Sequence, residues 1–80
     1  NYPNPFNPST IISFSLPSAG FVNINVFNIL GQQVVNLVEE YREAGVHQVE
    51  FDGANFPSGI YFYRLQHSGG SVTRKMTLVK

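Results

Sequence analysis

The side chains with chemical potential are few and widely spread. A nucleophilic triad needs a hydroxyl, a base and an orienting acid in mutual contact. Serines are available, but the only bases of the right kind are His47 and His67. His67 stands beside Gly69-Gly70, at what reads as a solvated hairpin tip. His47 falls on the inward side of an alternating segment, where a neutral imidazole satisfied by a backbone carbonyl is the expected state. Glu39, Glu40 and Glu43 are close in sequence, but they lack the spaced Asp/Asn ladder of a calcium loop and read as a solvated acidic loop. Gly69-Gly70 opens no helix, so it does not form a phosphate-binding turn. With no cysteine, neither a thiolate metal centre nor a disulfide is available. The expectation is a non-catalytic protein without a cofactor.

The elements that position these residues are organised around Pro57-Ser58-Gly59-Ile60-Tyr61-Phe62-Tyr63-Arg64-Leu65. Pro57 presets a turn and Gly59 supplies a conformation that other residues resist. A β-branched residue and three aromatics follow, which suit a half-buried pleated surface. A period of two puts Tyr61, Tyr63 and Leu65 on the core face and Ile60, Phe62, Arg64 and Gln66 on the other. Tyr61 either returns its hydroxyl to an upstream carbonyl, as in the tyrosine corner of Greek-key sandwiches, or simply fills core.

Other segments alternate in the same way. Ser9 to Leu16 turns Ile12, Phe14 and Leu16 inward. Phe21 to Ile29 turns Val22, Ile24 and Val26 inward and Asn23 and Asn25 outward. Gln32 to Val38 is a third strand without a clear register. Val46 to Phe51 places His47, Val49 and Phe51 together. Val72 to Val79 turns Met76 and Leu78 inward. Pro17–Gly20, Leu30-Gly31, Ala44-Gly45 and Asp52-Gly53 supply breaks. Short strands separated by about 8–12 residues predict an all-β, antiparallel sandwich or small barrel.

At 80 residues the chain makes one domain, with a Pro-rich extended arm over 1–8 and the β-structure over 9–80. Tyr2 and Phe6 favour an arm that docks over one that swings free. The chain opens on Asn1-Tyr2-Pro3 without a methionine, which reads as a piece of something longer. Its formal net charge is zero and its pI about 6.9, so no basic field draws nucleic acid or an anionic membrane. No apolar run reaches the ~20 residues of a spanning helix, which predicts no membrane insertion. Phe27, Ile60 and Phe62 fall on outward faces and form a candidate contact patch, with the arm as a candidate cover.

Tyr2-Pro3-Asn4-Pro5-Phe6-Asn7-Pro8-Ser9-Thr10 resembles the opening of the type A C-terminal sorting domain of the type IX secretion system of Bacteroidetes and their relatives. The resemblance continues through Asn28-Ile29-Leu30-Gly31, Ala44-Gly45-Val46-His47, Phe51-Asp52 and Ser58-Gly59-Ile60-Tyr61-Phe62-Tyr63-Arg64-Leu65. It closes on Lys75-Met76-Thr77-Leu78-Val79-Lys80. The middle is also similar to the immunoglobulin-like domain of the flagellar hook-capping protein. Phe51 stands where both families more often carry tryptophan. The resemblance implies an Ig-like antiparallel sandwich of about six to seven strands at the end of a larger secreted cargo. It further implies recognition by the outer-membrane translocon after passage through the periplasm, then either sortase cleavage with attachment of the cargo to surface lipopolysaccharide, as is common, or retention of the domain, as in some type A members. The implied recognition residues are Pro3, Asn4, Pro5, Gly59, Tyr61, Lys75, Met76 and Lys80. The implied partners are the translocon, the sortase and the N-terminal cargo of the same chain, with self-association through free sheet edges. Two other readings stand beside it: a structural Ig-like module in an extracellular filament or hook-cap-like assembly, and a sugar-binding module with Phe27 and Phe62 as its platform.

Overall fold

The structure, a computed structural model, describes residues 9–79. Pro3, Asn4, Pro5 and Lys80, and the arm that begins the chain, lie outside the described residues. Six strands follow one another: β1 (Ser9–Leu16), β2 (Gly20–Phe27), β3 (Gln33–Arg42), β4 (Gly45–Asp52), β5 (Gly59–His67) and β6 (Gly70–Leu78). All pairings are antiparallel, and the described residues contain no helix. β1 and β4 form a smaller sheet, and a larger one runs in the order β3-β2-β5-β6. Assigning the strands in turn to B, C, C′, E, F and G reproduces the B–E and C′–C–F–G sheets of an immunoglobulin-like sandwich.

The alternation read in the sequence becomes burial. Ile12, Phe14 and Leu16 of β1 face Val22, Ile24 and Val26 of β2, and the last three are fully buried. At one end of the sandwich Phe14, Leu16, Val22, Ile24, Val38 and Leu65 pack together. At the other, Ile12, Val26, Phe51, Tyr61 and Leu78 do. Burying a side chain of this size is worth about 1.5–3 kcal/mol. With no disulfide available, these two clusters carry the stability of the domain.

β3 corrects the sequence reading. Its register slips twice against β2, passing over Leu37 between Val38 and Asn36, and Val34 between Val35 and Gln33. A bulge of this kind adds one unpaired residue and shifts the faces of the strand. The consecutive pairs Val34-Val35 and Leu37-Val38 therefore all reach the core, which no strict period of two allows. The segment from Glu39 to Arg42 is strand rather than acidic loop; only Glu43 and Ala44 form the turn. Glu39, Glu40, Tyr41 and Arg42 pair with Asn23, Val22, Phe21 and Gly20. The ladder with β2 overrides the weak strand preference of glutamate, and the carboxylates sit on an open sheet edge, where charge is tolerated.

β2 ends at Phe27 rather than Ile29 because Asn28 closes a turn. The Asn28 side-chain oxygen accepts from the backbone N–H of Leu30 at 2.9 Å and of Gln32 at 3.0 Å. Gly31 takes the positive φ that this turn requires, 82°. Asn25 is the other correction. It lies on the outer side of β2 yet is only 7% exposed. Asn36 donates to Asn25 Oδ1 at 2.7 Å and to Asn23 Oδ1 at 2.9 Å, and Asn25 donates to Asn23 Oδ1 at 3.2 Å. Mutual hydrogen bonding makes burial of these amides tolerable.

Candidate recognition surface

Two stretches singled out in the sequence meet across one pair of strands. In the β5–β6 ladder Gly59 faces Leu78, Ile60 faces Thr77, Tyr61 faces Met76 and Phe62 faces Lys75. The Gly59-x-Tyr61 turn and the run from Lys75 toward the chain end are thus one structural unit. Gly59 enters β5 with φ 153°, on the positive side that favours glycine. The Tyr61 hydroxyl donates to the Pro57 carbonyl at 2.7 Å, so the tyrosine-corner alternative is the one the chain adopts. The Tyr61 ring lies 6.4 Å from both Phe51 and Phe56. Behind the corner, Gly53 lets the β4–β5 connection press on β6: a Cβ at Gly53 would stand 2.5 Å from Leu78 Cδ1.

The unit shows different chemistry on its two sides. On the inner side Leu78 is buried and Met76 half-buried. On the outer side Lys75 is exposed beside half-buried Phe62. Phe62 is in turn the direct cross-strand partner of Phe27, with Ile60 on the same side of β5. Phe27, Ile60 and Phe62 are thus neighbours, with Ile60 exposed and the two rings half-buried. The two rings border a shallow groove of about 360 Å³, completed by Ile29, Gly31 and Thr73. The Arg64 guanidinium lies over the Phe27 ring, 4.9 Å from its centre, and occupies a face that sugar stacking would need.

Zero net charge conceals a separation. All five acidic groups fall between Glu39 and Asp52, on β3, β4 and their turn, whereas Arg64, Arg74 and Lys75 stand on β5 and β6. The larger sheet thus has an acidic edge strand and a basic one. Arg42, within the acidic part, donates from Nε to Glu40 at 2.7 Å.

The two histidines are structural. His47 stacks on Phe14 with ring centres 5.4 Å apart. Its Nε2 donates to the Glu43 carbonyl at 2.7 Å, and its Nδ1 faces an Arg42 guanidinium nitrogen at 3.5 Å. A carbonyl only accepts and a guanidinium only donates, which assigns the ring proton to Nε2. His67 is half-buried rather than solvated, and its Nδ1 accepts from the Gly69 N–H at 3.0 Å. Among the described residues no three His, Asp or Glu side chains converge as a metal site. Sequence reasoning missed the Asn23–Asn25–Asn36 cluster, the separation of charge and the part played by Phe56. Each depends on which strands become neighbours.

The described residues define a small antiparallel sandwich with open sheet edges and two motifs paired across one hairpin. Over residues 1–80 the chain matches the family described as the secretion system C-terminal sorting domain. It belongs to that family, the sorting tails of the type IX secretion system, which are in general non-catalytic. A tail of this family marks its protein for export by the type IX machinery, through the periplasm to the outer-membrane surface or the medium. No curated protein and no solved structure matches the chain.

Proposed function

We propose that residues 1–80 act as one non-catalytic domain, the C-terminal part of a longer secreted protein, read by the type IX translocon and then handled by its sortase. The observation that carries this reading is the β5–β6 unit, in which Gly59-x-Tyr61 builds the corner that supports the strand bearing Lys75 and Met76. In this reading the residues divide by role. Gly59, Tyr61 and Met76 shape and hold the strand; Lys75 is its outward contact; Pro3, Asn4, Pro5 and Lys80 complete the signal at the two ends of the chain. The patch of Phe27, Ile60 and Phe62 is a contact surface beside Lys75 on the same outer side. Recognition of a strand with a free edge works through backbone pairing and shape, which suits a domain without net charge. The same edges support self-association. After export, the sortase removes the domain and joins the cargo to a surface lipopolysaccharide. Nucleic acid and membrane insertion have no part in this.

Removing Lys75 to Lys80 would also remove buried Leu78, so truncation alone mixes loss of signal with loss of fold. The discriminating variant is Lys75→Glu, at an exposed position. Fused to a reporter carrying a signal peptide in a type IX host, it should lower the exported fraction while the circular dichroism and melting of the isolated domain stay unchanged. Export equal to that of the unaltered domain refutes the role of Lys75. Mass spectrometry of the exported reporter tests the sortase step: cleavage before the domain and an added glycolipid are expected, and an intact, unmodified fusion contradicts it.

A further inference from the structure

The two edge strands of the larger sheet, β3 and β6, carry opposite charge. Charged side chains on an edge strand protect it from pairing with a second copy. On β3 these are Glu39 and Glu40; on β6 they are Arg74 and Lys75. Two β3 edges therefore repel, as do two β6 edges, because like charges set opposite each other destabilise a strand pair. The same charges favour β3 against β6. Strand direction agrees. Three antiparallel pairings separate β3 from β6, so the two edges run in opposite directions. A second copy displaced sideways in the plane of the sheet brings its β3 antiparallel to β6, and the alternation of the sheet continues.

One register suits both faces. Residues directly opposite each other in a ladder share a face. Lys75 is on the outer side opposite Phe62, and Glu39 is on the outer side opposite Asn23. Arg74 lies on the inner side with Met76, and Glu40 on the inner side with Val38. Setting Glu39 opposite Lys75 therefore also sets Glu40 opposite Arg74 and buried Val38 opposite half-buried Met76, with exposed Tyr41 opposite exposed Thr73. The backbone is in phase as well. In an antiparallel sheet a residue that exchanges hydrogen bonds with one neighbouring strand offers none to the other. Glu39, Asn23, Gln66 and Ser71 stand in one row across the sheet. Glu39 and Ser71 thus both turn their backbone groups outward or both turn them inward, and Lys75 follows Ser71 at an even spacing. The bulge at Leu37 bounds the matched stretch, which runs over residues 38–42 of β3 and 72–76 of β6. Within one copy Glu40 is held by Arg42, and among the described residues Glu39, Arg74 and Lys75 have no ion-pair partner.

We propose that β3 of one copy pairs with β6 of the next in this register. The contact is heterologous, so each pair leaves a free β3 at one end and a free β6 at the other, and copies add in a row. The inference rests on the self-association in the proposed function and supplies its edges and its direction.

Sedimentation equilibrium of the 80-residue chain tests it. The average mass should rise with chain concentration at ~0.01 M salt and fall back toward that of the monomer at ~1 M, where the Debye length shrinks from ~30 Å to ~3 Å. Glu39→Lys and Lys75→Glu should each give a monomer where the parent associates, with unchanged circular dichroism. Both reversals in one chain should restore association, which neither β3–β3 nor β6–β6 pairing would do. A parent that stays monomeric, association indifferent to salt, or a doubly reversed chain that stays monomeric overturns the proposal. The absence of native cysteine permits a check of register. An equimolar mixture of Tyr41→Cys and Thr73→Cys chains, mildly oxidised, should yield the mixed disulfide dimer; predominance of either homodimer refutes the edge pair. These assays need no translocon, so their failure leaves the sorting reading standing, and loss of export leaves them untouched.

Discussion

Replacing Tyr61 by phenylalanine isolates the bond that defines the corner. The hydroxyl donates to the Pro57 carbonyl at 2.7 Å, and the residue is 5% exposed. Phenylalanine keeps the ring and its contacts with Phe51 and Phe56, so the hydrophobic contribution of the site is retained. What is lost is one hydrogen bond, worth about 0.5–1.5 kcal/mol net. The bond is part-buried and Pro57 itself is exposed, so the full penalty for a buried unsatisfied acceptor is not applied. The expected loss is therefore about 1 kcal/mol. In a domain of this size that lowers Tm by about 4–8 °C. Urea titration followed by circular dichroism should show the midpoint falling at constant slope. Tyr63→Phe is the control. Tyr63 is on the same face of β5 and half-buried, and its hydroxyl makes no hydrogen bond among the described residues. It should stay within about 0.5 kcal/mol of the parent. An unchanged midpoint for Tyr61→Phe, or equal losses in both variants, would refute the corner as a source of stability.

Three further outcomes follow from the same packing. Asn36→Ala removes the donor shared by Asn23 and Asn25 and leaves buried Asn25 Oδ1 without that partner, so chemical denaturation should show a loss of about 1–3 kcal/mol. Gly53→Ala drives a methyl into Leu78 and should cost about 1–3 kcal/mol, with the β6 amide resonances shifting most. Arg42→Ala breaks an ion pair whose Glu40 side chain is 59% exposed. Screening limits its effect to about 1 kcal/mol or less, and the difference from the parent should shrink at ~1 M salt.

What the sequence makes legible is the part governed by a period of two. β1, β2 and β5 could be read because their inward residues are apolar at every second position, as could the end of β6 through Met76 and Leu78, and burial follows that pattern at Ile12, Val22, Tyr61 and Leu78. β3 could not, since two bulges change its faces within ten residues and the pairs Val34-Val35 and Leu37-Val38 break the period of two. Glu39 and Glu40 read as loop because their preference for strand is weak, and only the pairing with β2 makes them extended. Local chemistry fared better than register. The alternation at His47 predicts a carbonyl partner, and the ring meets that of Glu43, whereas His67 turns back on Gly69 instead of facing solvent. The candidate recognition surface is legible as separate motifs but not as a unit. Gly59 and Leu78 lie far apart in sequence, and a hairpin register alone brings them together.

In the proposed reading the same hairpin joins stability to sorting. The corner fixes Tyr61, Tyr61 faces Met76, and β6 carries Lys75 outward and Leu78 inward. A variant that loosens the corner should therefore weaken presentation of the ending without touching it. Lys75→Glu should do the reverse, leaving the fold intact and changing only the surface offered.

The most direct test of the sorting role is export itself. Residues 1–80 are placed at the C-terminus of a fluorescent reporter that carries a signal peptide, in a type IX-competent host, beside the same reporter without them. The account predicts that the fusion reaches the cell surface or the medium and that the bare reporter stays in the periplasm. Retention of both in the periplasm, repeated in a second type IX host, would contradict it.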